Sequence, residues 1–311
     1  MLPPTSAPDS APNRFAILQT RLDASQGRLS AAVIDTSRRV VFQYRQDERY
    51  ELASVAKIYI LLAYLDRLSH EQRIPTPDEI DQMRTMIEES GNEPATELFD
   101  AIGRHDGIAA FLAAHSLPPI DAAEDGSWGS MRASPLDVGH LLLDLYQGRI
   151  LDLPATSLAF SLLANVIHSQ AWGVGAVLDG GAVKEVYLKN GWYPGPDGWI
   201  VNSVGIAAEP KDSYAIVLLS DTQPSFEEGI AQIEDTVGLI RGVLFKNPPQ
   251  LSVTSTPEPV IANATPDEVR PRPPTATPDP ERTRLPVPRS RTPGTAPFDV
   301  PDAGHEPPIA P

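Results

Sequence analysis

Proline divides this chain. Of its 33 prolines, 18 fall after residue 247, within 64 residues, and the first 247 residues hold the other 15. Each proline fixes φ and removes a backbone donor, so a dense run of them cannot build helices or sheet ladders. Residues 248–311 combine that density with Thr and charge and with few large apolar side chains. Such a segment cannot bury enough surface to offset its ordering entropy. It is expected to be a disordered spacer, the alternative being a ligand for proline-binding grooves. Residues 1–13, which include PPTSAPDSAPN, read as a linker. Folding therefore falls to residues 14–247, enough chain for one sizeable core.

Charge narrows the function classes. Residues 1–247 carry 33 acidic against 19 basic side chains, a net of 19 − 33 = −14, with only five lysines. A nucleic-acid partner calls for a basic face, so none is expected. The chain has no cysteine, which excludes disulfides and thiolate metal sites. Its six histidines are scattered, so no metal site is expected. The longest apolar run, Ile58 to Leu65, is too short to span a bilayer. The first residues lack the basic and apolar regions of a secretory signal. The proline-rich start is odd as a true beginning: either the chain is a trimmed mature form or its start codon was placed late.

Periodicity predicts the elements. Phe15, Leu18 and Leu22 mark a helix over residues 14–25, and Leu29–Asp35 and Val40–Tyr44 a hairpin. An apolar helix follows over Ser54–Leu68, then helices starting at Pro77-Asp78 and spanning Glu93–Ile102 and Gly107–His115. Ser134-Pro135 is an N-cap with proline at the first helical position, and Leu153-Pro154 opens another helix ending near Ile167. Strands return at Val183–Leu188, Trp199–Ala207 and Tyr214–Ser220, and a helix over Phe226–Phe245 closes the domain. Strands and helices in runs, rather than in alternation, predict an α+β fold. The expected arrangement is a five-stranded antiparallel sheet flanked by helices, with a sheet lobe of about residues 14–53 and 182–247. An all-helical lobe of about residues 54–181 would leave a cleft between the two.

Three short motifs could carry chemistry. Ser54 and Lys57 share a helix face, at a helix start where backbone N–H groups lack partners. A hydroxyl there could attack a carbonyl and leave the oxyanion near those donors. Lys57 precedes eight apolar residues, and desolvation makes a lysine a plausible base. The alternative is that Ser54 caps the helix and Lys57 snorkels to water. Ser90-Gly91-Asn92 is either an ordinary inter-helix loop or a second hydroxyl beside an orienting amide. Lys189-Asn190-Gly191, at the end of the strand Val183–Leu188, is either a surface lysine before an Asn-Gly turn or a cation that attracts a carboxylate. Gly191 would let a ligand lie close along the strand edge.

Taken together, in this order, the motifs resemble S-x-x-K, S-D-N and K-T-G of the class A β-lactamases and penicillin-binding proteins. The resemblance extends over about residues 14–245. AAVIDTSRRVVFQYRQDERYELAS resembles the family's first strands and approach to the nucleophile, and SGNEPATELFDAIG its second motif. RASPLDVGHLL resembles the segment after its Ω-loop, and VYLKNGW its third motif. WGVGAVL and GWIVNSVGI are more similar to uncharacterised serine hydrolases of that superfamily than to resistance enzymes.

The resemblance implies a β-lactamase/transpeptidase-like fold and a role for each position. Ser54 would be the acylated nucleophile, Lys57 its base, and Ser90 the group passing a proton to the leaving nitrogen. Asn92 would hold Lys57 and the substrate amide. Lys189 would attract the substrate carboxylate, with Asn190 donating to it. The backbone N–H groups of Ser54 and Trp192 would form the oxyanion hole. It also implies a monomer acting outside the cytoplasm on a small β-lactam or peptidoglycan-like substrate, without a cofactor, with an export or anchoring segment upstream of the proline-rich start that tethers it to a membrane or cell wall.

One departure bears on turnover. The family's Ω-loop carries a glutamate that activates the deacylating water, with Asn four residues on. Here the loop is IDAAEDGSWGSMR, residues 120–132; Glu124 is its only glutamate and Trp128 stands four residues later. Losing a well-placed general base commonly costs about two to four decades in rate. Three outcomes remain open: a hydrolase of β-lactams or related amides and esters through acyl-Ser54; a cell-wall peptidase or penicillin-binding sensor with a long-lived adduct; and a non-catalytic binding module.

Overall fold

The apolar stretch Leu29–Ile34 places the first strand at the heart of the molecule. In the computed structural model, β1 (Arg28–Asp35) is buried at every position but its two ends, and so has elements packed on both faces. The structure describes residues 15–245 apart from 180, 210 and 211; the linker of residues 1–13 and the tail of residues 248–311 lie outside the described residues.

β1 pairs antiparallel with β2 (Val40–Tyr44) on one side and with β7 (Tyr214–Asp221) on the other. β7 continues to β6 (Gly198–Ala208), and β6 to β5 (Glu185–Gly195), giving the order β2-β1-β7-β6-β5. The expected α+β fold with five antiparallel strands is what the chain forms. A two-stranded ladder, β3 (Tyr50–Glu51) with β4 (Arg132–Ala133), was not foreseen. Neither run is long enough to show alternation in the sequence.

Each face of the sheet carries its own core. On one face, α1 (Ala16–Asp23) and the closing helix α8 (Phe226–Leu244) pack together, so Leu18, Leu22, Ile233 and Val237 meet Leu29, Val33 and Leu218. On the other, α6 (Pro135–Tyr146) lies against β1, β6 and β7. Behind α6 the core runs on into α2 (Ala56–His70), which α3 (Pro77–Glu88), α4 (Asn92–Ala101), α5 (Arg104–Ala114) and α7 (Leu153–Ala164) surround. Nearly every residue of α2 from Ala56 to Leu65 is buried. That explains an apolar sequence without an amphipathic stripe: the helix has neighbours all round.

Several boundaries differ from expectation: α2 starts at Ala56 rather than Ser54 and α5 at Arg104 rather than Gly107. α7 ends at Ala164, and the chain then runs through two 3-10 turns, His168–Gln170 and Gly173–Leu178, which the apolar sequence disguised as helix and loop. β5 does not stop at Leu188 but continues through Lys189-Asn190-Gly191 to Gly195. The Asn-Gly pair is therefore no turn; cross-strand pairing, Gly191 opposite Asn202, overrides the local preference.

Candidate active site

The nucleophile candidate sits on a sharp bend. Ser54 lies in a 3-10 turn, Ala53–Val55, that leads into α2 rather than in α2 itself. Ala53 before it has φ +48°, left-handed backbone that a residue with a Cβ adopts only where its surroundings impose it. Those surroundings are visible. The Leu52 N–H donates to Met131 O at 2.9 Å and the Ala53 N–H to Gly129 O at 2.8 Å. From β6, Asn202 donates through Nδ2 to Glu51 O (2.8 Å) and Leu52 O (3.2 Å), and its Oδ1 accepts from Ser220 N at 2.9 Å. On the β5 side, a Cβ on Gly191 would stand 2.7 Å from both Leu52 O and Ser54 N. Only glycine lets the edge strand close on the turn that way.

Lys57 is the hub. It is fully buried, and its Nζ lies 3.0 Å from Ser54 Oγ, 2.6 Å from Ser90 O, 3.2 Å from Ser90 Oγ and 2.7 Å from Asn92 Oδ1. The snorkelling alternative is thereby excluded. Lys189 is equally buried and reaches the same hydroxyl from β5, with Nζ 2.9 Å from Ser90 Oγ. Ser90 itself has φ +61°, a second left-handed residue beside the nucleophile. A serine hydroxyl has two acceptor lone pairs and one proton. With both lone pairs facing lysine nitrogens, the proton must point to a third group.

Gly91 stands where the family has an acid. The reason is local: a Cβ there would lie 2.9 Å from Thr85 Cγ2, and the Gly91 N–H donates to Thr85 O at 2.9 Å. Asn92 opens α4 with its side chain turned back to Lys57.

Asn190 departs from expectation. It is buried, and its amide hydrogens go to Gln170 O (2.9 Å) and Trp172 O (3.0 Å), holding the two 3-10 turns against β5. It therefore does not offer an N–H to a ligand. Its Oδ1 is buried without a hydrogen-bond partner. Gln170 also donates to Glu89 O at 2.7 Å, tying the same turn to the residue before Ser90. Gln170 and Asn202 were not picked out beforehand. The signal was faint: the polar pair Asn202-Ser203 in an otherwise apolar strand, and a glutamine in an undefined loop.

The loop of residues 121–132 is closed at its neck. Asp121 and Arg132 exchange backbone hydrogen bonds at 2.9 and 3.0 Å, and Arg49 Nε donates to Asp121 Oδ2 at 2.6 Å. That is an Ω-loop in shape. Glu124 is exposed, with no hydrogen bond or ion pair among the described residues. The loop residue that reaches the site is Trp128. Its ring centroid lies 4.8 Å from Lys57 Nζ, and its Nε1–H donates to Thr96 Oγ1 at 3.1 Å. Below, Tyr193 on β5 hydrogen-bonds the Glu51 carboxyl, and burial raises its hydroxyl pKa well above the usual value. Among the described residues, no group of three His, Asp or Glu is placed to hold a metal.

No family model matches the chain, and no curated protein does. Solved structures do match. An extended-spectrum β-lactamase, TLA-3, superposes with a TM-score of 0.66 at 16% identity, covering 76% of this chain and 100% of that one. A β-lactamase from Chitinophaga pinensis gives 0.64 at 16% identity, over 74% and 98%. An ancestral class A β-lactamase gives 0.59 at 20% identity, over 73% and 98%. The chain has the class A β-lactamase fold.

Proposed function

We propose that the protein is a serine acyl hydrolase that takes an acyl group from a β-lactam or a related ester or amide onto Ser54 and releases it slowly. The observation that carries this reading is the buried Lys57, within hydrogen-bond reach of Ser54 Oγ, Ser90 and Asn92 at once. A nucleophile, a base in contact with it and a third group that orients the base are the requirements of covalent catalysis. The chemistry follows from those contacts. Ser54 Oγ attacks the acyl carbonyl while its proton passes to neutral Lys57. The oxyanion collects at the Ser54 N–H and the Trp192 N–H. Because β5 is the sheet's edge, every second N–H along it faces away from β6. The bond to the leaving group then breaks, and the proton returns through Ser90 Oγ, whose O–H is directed outward by the two lysines.

Slow release is favoured by the Ω-loop. An indole covers Lys57, and the loop's glutamate stays in solvent. The loop's glutamate is thereby not supplied to activate a water against the acyl bond. The test is intact-protein mass spectrometry after a fluorophosphonate probe and after penicillin. A probe adduct on wild type and none on Ser54→Ala is the expected result, with any penicillin adduct persisting for minutes or longer. A probe that leaves folded wild type unlabelled sinks the reading and leaves a binding module. An adduct lost within seconds sinks only the slow release.

A further inference from the structure

The base candidate is sealed from solvent. Lys57 is fully buried, with four oxygens on its Nζ: Ser54 Oγ at 3.0 Å, Ser90 O at 2.6 Å, Ser90 Oγ at 3.2 Å and Asn92 Oδ1 at 2.7 Å. Over the same nitrogen lies the Trp128 ring, its centroid 4.8 Å away. The indole is only 8% exposed, and its Nε1–H donates to Thr96 Oγ1 at 3.1 Å, on an exposed residue of α4. Trp128 thus stands between Lys57 and the surface. The backbone fixes it there. Gly129 O, one residue beyond Trp128, accepts from the N–H of Ala53, one residue before Ser54, at 2.8 Å. Ser130 N donates to Ser127 Oγ at 3.1 Å and closes the chain around Trp128 and Gly129. The ring is therefore placed directly against the turn of the nucleophile.

Counting protons shows what that placement does. An ammonium has three N–H donors and no acceptor; the neutral amine has two N–H groups and a lone pair. Ser90 O and Asn92 Oδ1 can only accept, so they take both N–H groups and turn the lone pair to the Ser54 hydroxyl. That suits the base of acylation. In the acyl-enzyme, Ser54 Oγ is an ester oxygen with no proton to give. Lys57, having returned its proton through Ser90, is neutral again, and a water becomes the natural donor to its lone pair. A water within about 2.6–3.2 Å of Nζ would be activated for attack on the acyl carbon. It needs a place beside Nζ. The oxygens there are what allows the amine to be buried. The ring is the neighbour that a water has to displace.

We propose that Trp128 is a plug on Lys57: its indole bars the deacylating water and so sets the lifetime of acyl-Ser54, with Thr96 as its latch. Unplugged, Lys57 is a base competent for release. This rests on Ser54 being the nucleophile and Lys57 its base. The loop then withholds two bases at once, Glu124 by leaving it in solvent and Lys57 by covering it. In release, the bond from the water oxygen to the acyl carbon forms and the Ser54 Oγ–C bond breaks. One water proton passes to Lys57 and from there to Ser54 Oγ, and the acyl group leaves as its acid. Trp128 gives and takes no proton; it is a positioning residue that acts through Lys57.

The experiment acetylates the full chain with p-nitrophenyl acetate, removes the ester by rapid gel filtration and follows the acetyl mass on the peptide that carries Ser54, with Ser54→Ala as background. Acylation is read separately, from the burst of nitrophenolate. Wild type is expected to hold the acetyl group for minutes or longer. Trp128→Ala should lose it at least tenfold faster. Thr96→Val, which removes the latch with little change of volume, should lose it at least threefold faster. A merely structural role would slow acylation and release together, whereas the plug predicts that release alone speeds up. Leu218→Ala, a truncation in the core on the other face of the sheet, should keep the lifetime within threefold of wild type. Release from Trp128→Ala within threefold of wild type, or an equal shortening in Leu218→Ala, overturns the plug. If Trp128→Ala fails to fold, Thr96→Val decides, and an unchanged lifetime there overturns it. A wild type that sheds its acetyl group within seconds overturns the plug and leaves the nucleophile standing. If neither the ester nor a fluorophosphonate labels Ser54, both fall.

Discussion

Lys57 and Lys189 are two of five lysines among the first 247 residues, and both are fully buried around one serine hydroxyl. A buried amine is costly unless oxygen atoms surround it. Lys57 therefore depends on Ser90 O and Asn92 Oδ1 as much as Ser54 depends on it. Lys57→Met keeps most of the side-chain volume and removes the nitrogen. Ser54 labelling by a fluorophosphonate should slow by about two to four decades, the usual worth of a positioned general base. The melting temperature should also fall, by a few degrees, because Ser90 O and Asn92 Oδ1 each lose a buried donor at about 1–3 kcal/mol; labelling is therefore read on protein shown to be folded by circular dichroism. A labelling rate within a factor of three of wild type would show that Lys57 is not the base. At this scale much of the site was legible, because Ser54 and Lys57 are neighbours on one turn and share their chemistry locally. Ser90, Asn92 and Lys189 came only with the ordered set of motifs. Asn190, Gln170 and Asn202 were misread or missed. Their partners are backbone carbonyls 18 to 151 residues away, and no spacing within the sequence encodes those contacts.

Two elements meet where β5 closes on the 3-10 turn of Ser54, and Gly191 is the point of contact. Gly191→Ala puts a methyl 2.7 Å from Leu52 O and Ser54 N and 2.8 Å from Val55 N, all backbone atoms that cannot swing aside. The strand must withdraw, at a cost of about 1–3 kcal/mol. Because a displacement of about 1 Å costs on the order of 100-fold in rate, labelling of Ser54 should fall by at least that much while the fold survives. Circular dichroism beside labelling separates the two effects. The extent of β5 was misjudged for the same reason that makes it functional: Asn-Gly favours a turn locally, and only pairing with β6 keeps it extended. The proline-marked helix starts, at Pro77, Pro135 and Leu153-Pro154, were by contrast plain in the sequence. Thr76-Pro77 forms a full capping box with Glu79. Glu79 also bonds Arg73 and Tyr64, and the Arg73 guanidinium foremost holds its carboxyl far below the usual glutamate range. A depressed carboxyl stabilises the fold above its unfolded pKa, about 4.3, and the benefit fades as pH falls below that. Glu79→Gln keeps the capping acceptor and loses the charge paired with Arg73, so it should lower stability at pH 7 by about 0.2–1 kcal/mol. Thermal unfolding at pH 7 and pH 3 checks it, the difference from wild type being expected to shrink at the lower pH.

The sheet joins two cores that the sequence presents as one apolar total. Alternation along β7 sends Leu218 to the side of α1 and α8 and Leu219 to the side of α2 and α6, and both are fully buried. Strand alternation made each face apolar, but which helices cover which face depends on topology. That became legible only through the order β2-β1-β7-β6-β5, in which first and last helices come together. The site lies where elements of both sides converge. Ser54 and Lys57 lie on the turn that opens α2 and on its first residues, and the 3-10 turns that Asn190 holds against β5 lean on the opposite core through Val174 and Val177. If the shared strands couple the two cores, the domain unfolds as one unit. Leu218→Ala and Leu219→Ala should then each cost about 2–5 kcal/mol, the range for a buried leucine truncated in a packed core. At about 2–4 °C per kcal/mol for a domain of this size, the melting temperature should drop by roughly 4–20 °C in either case. Near-ultraviolet and far-ultraviolet circular dichroism should report the same single transition in both variants. A two-step melt in which Leu218→Ala moves one step and Leu219→Ala the other would mean that the faces fold independently. The geometry around Ser54, which draws on both, would then be held by only half of the molecule's stability.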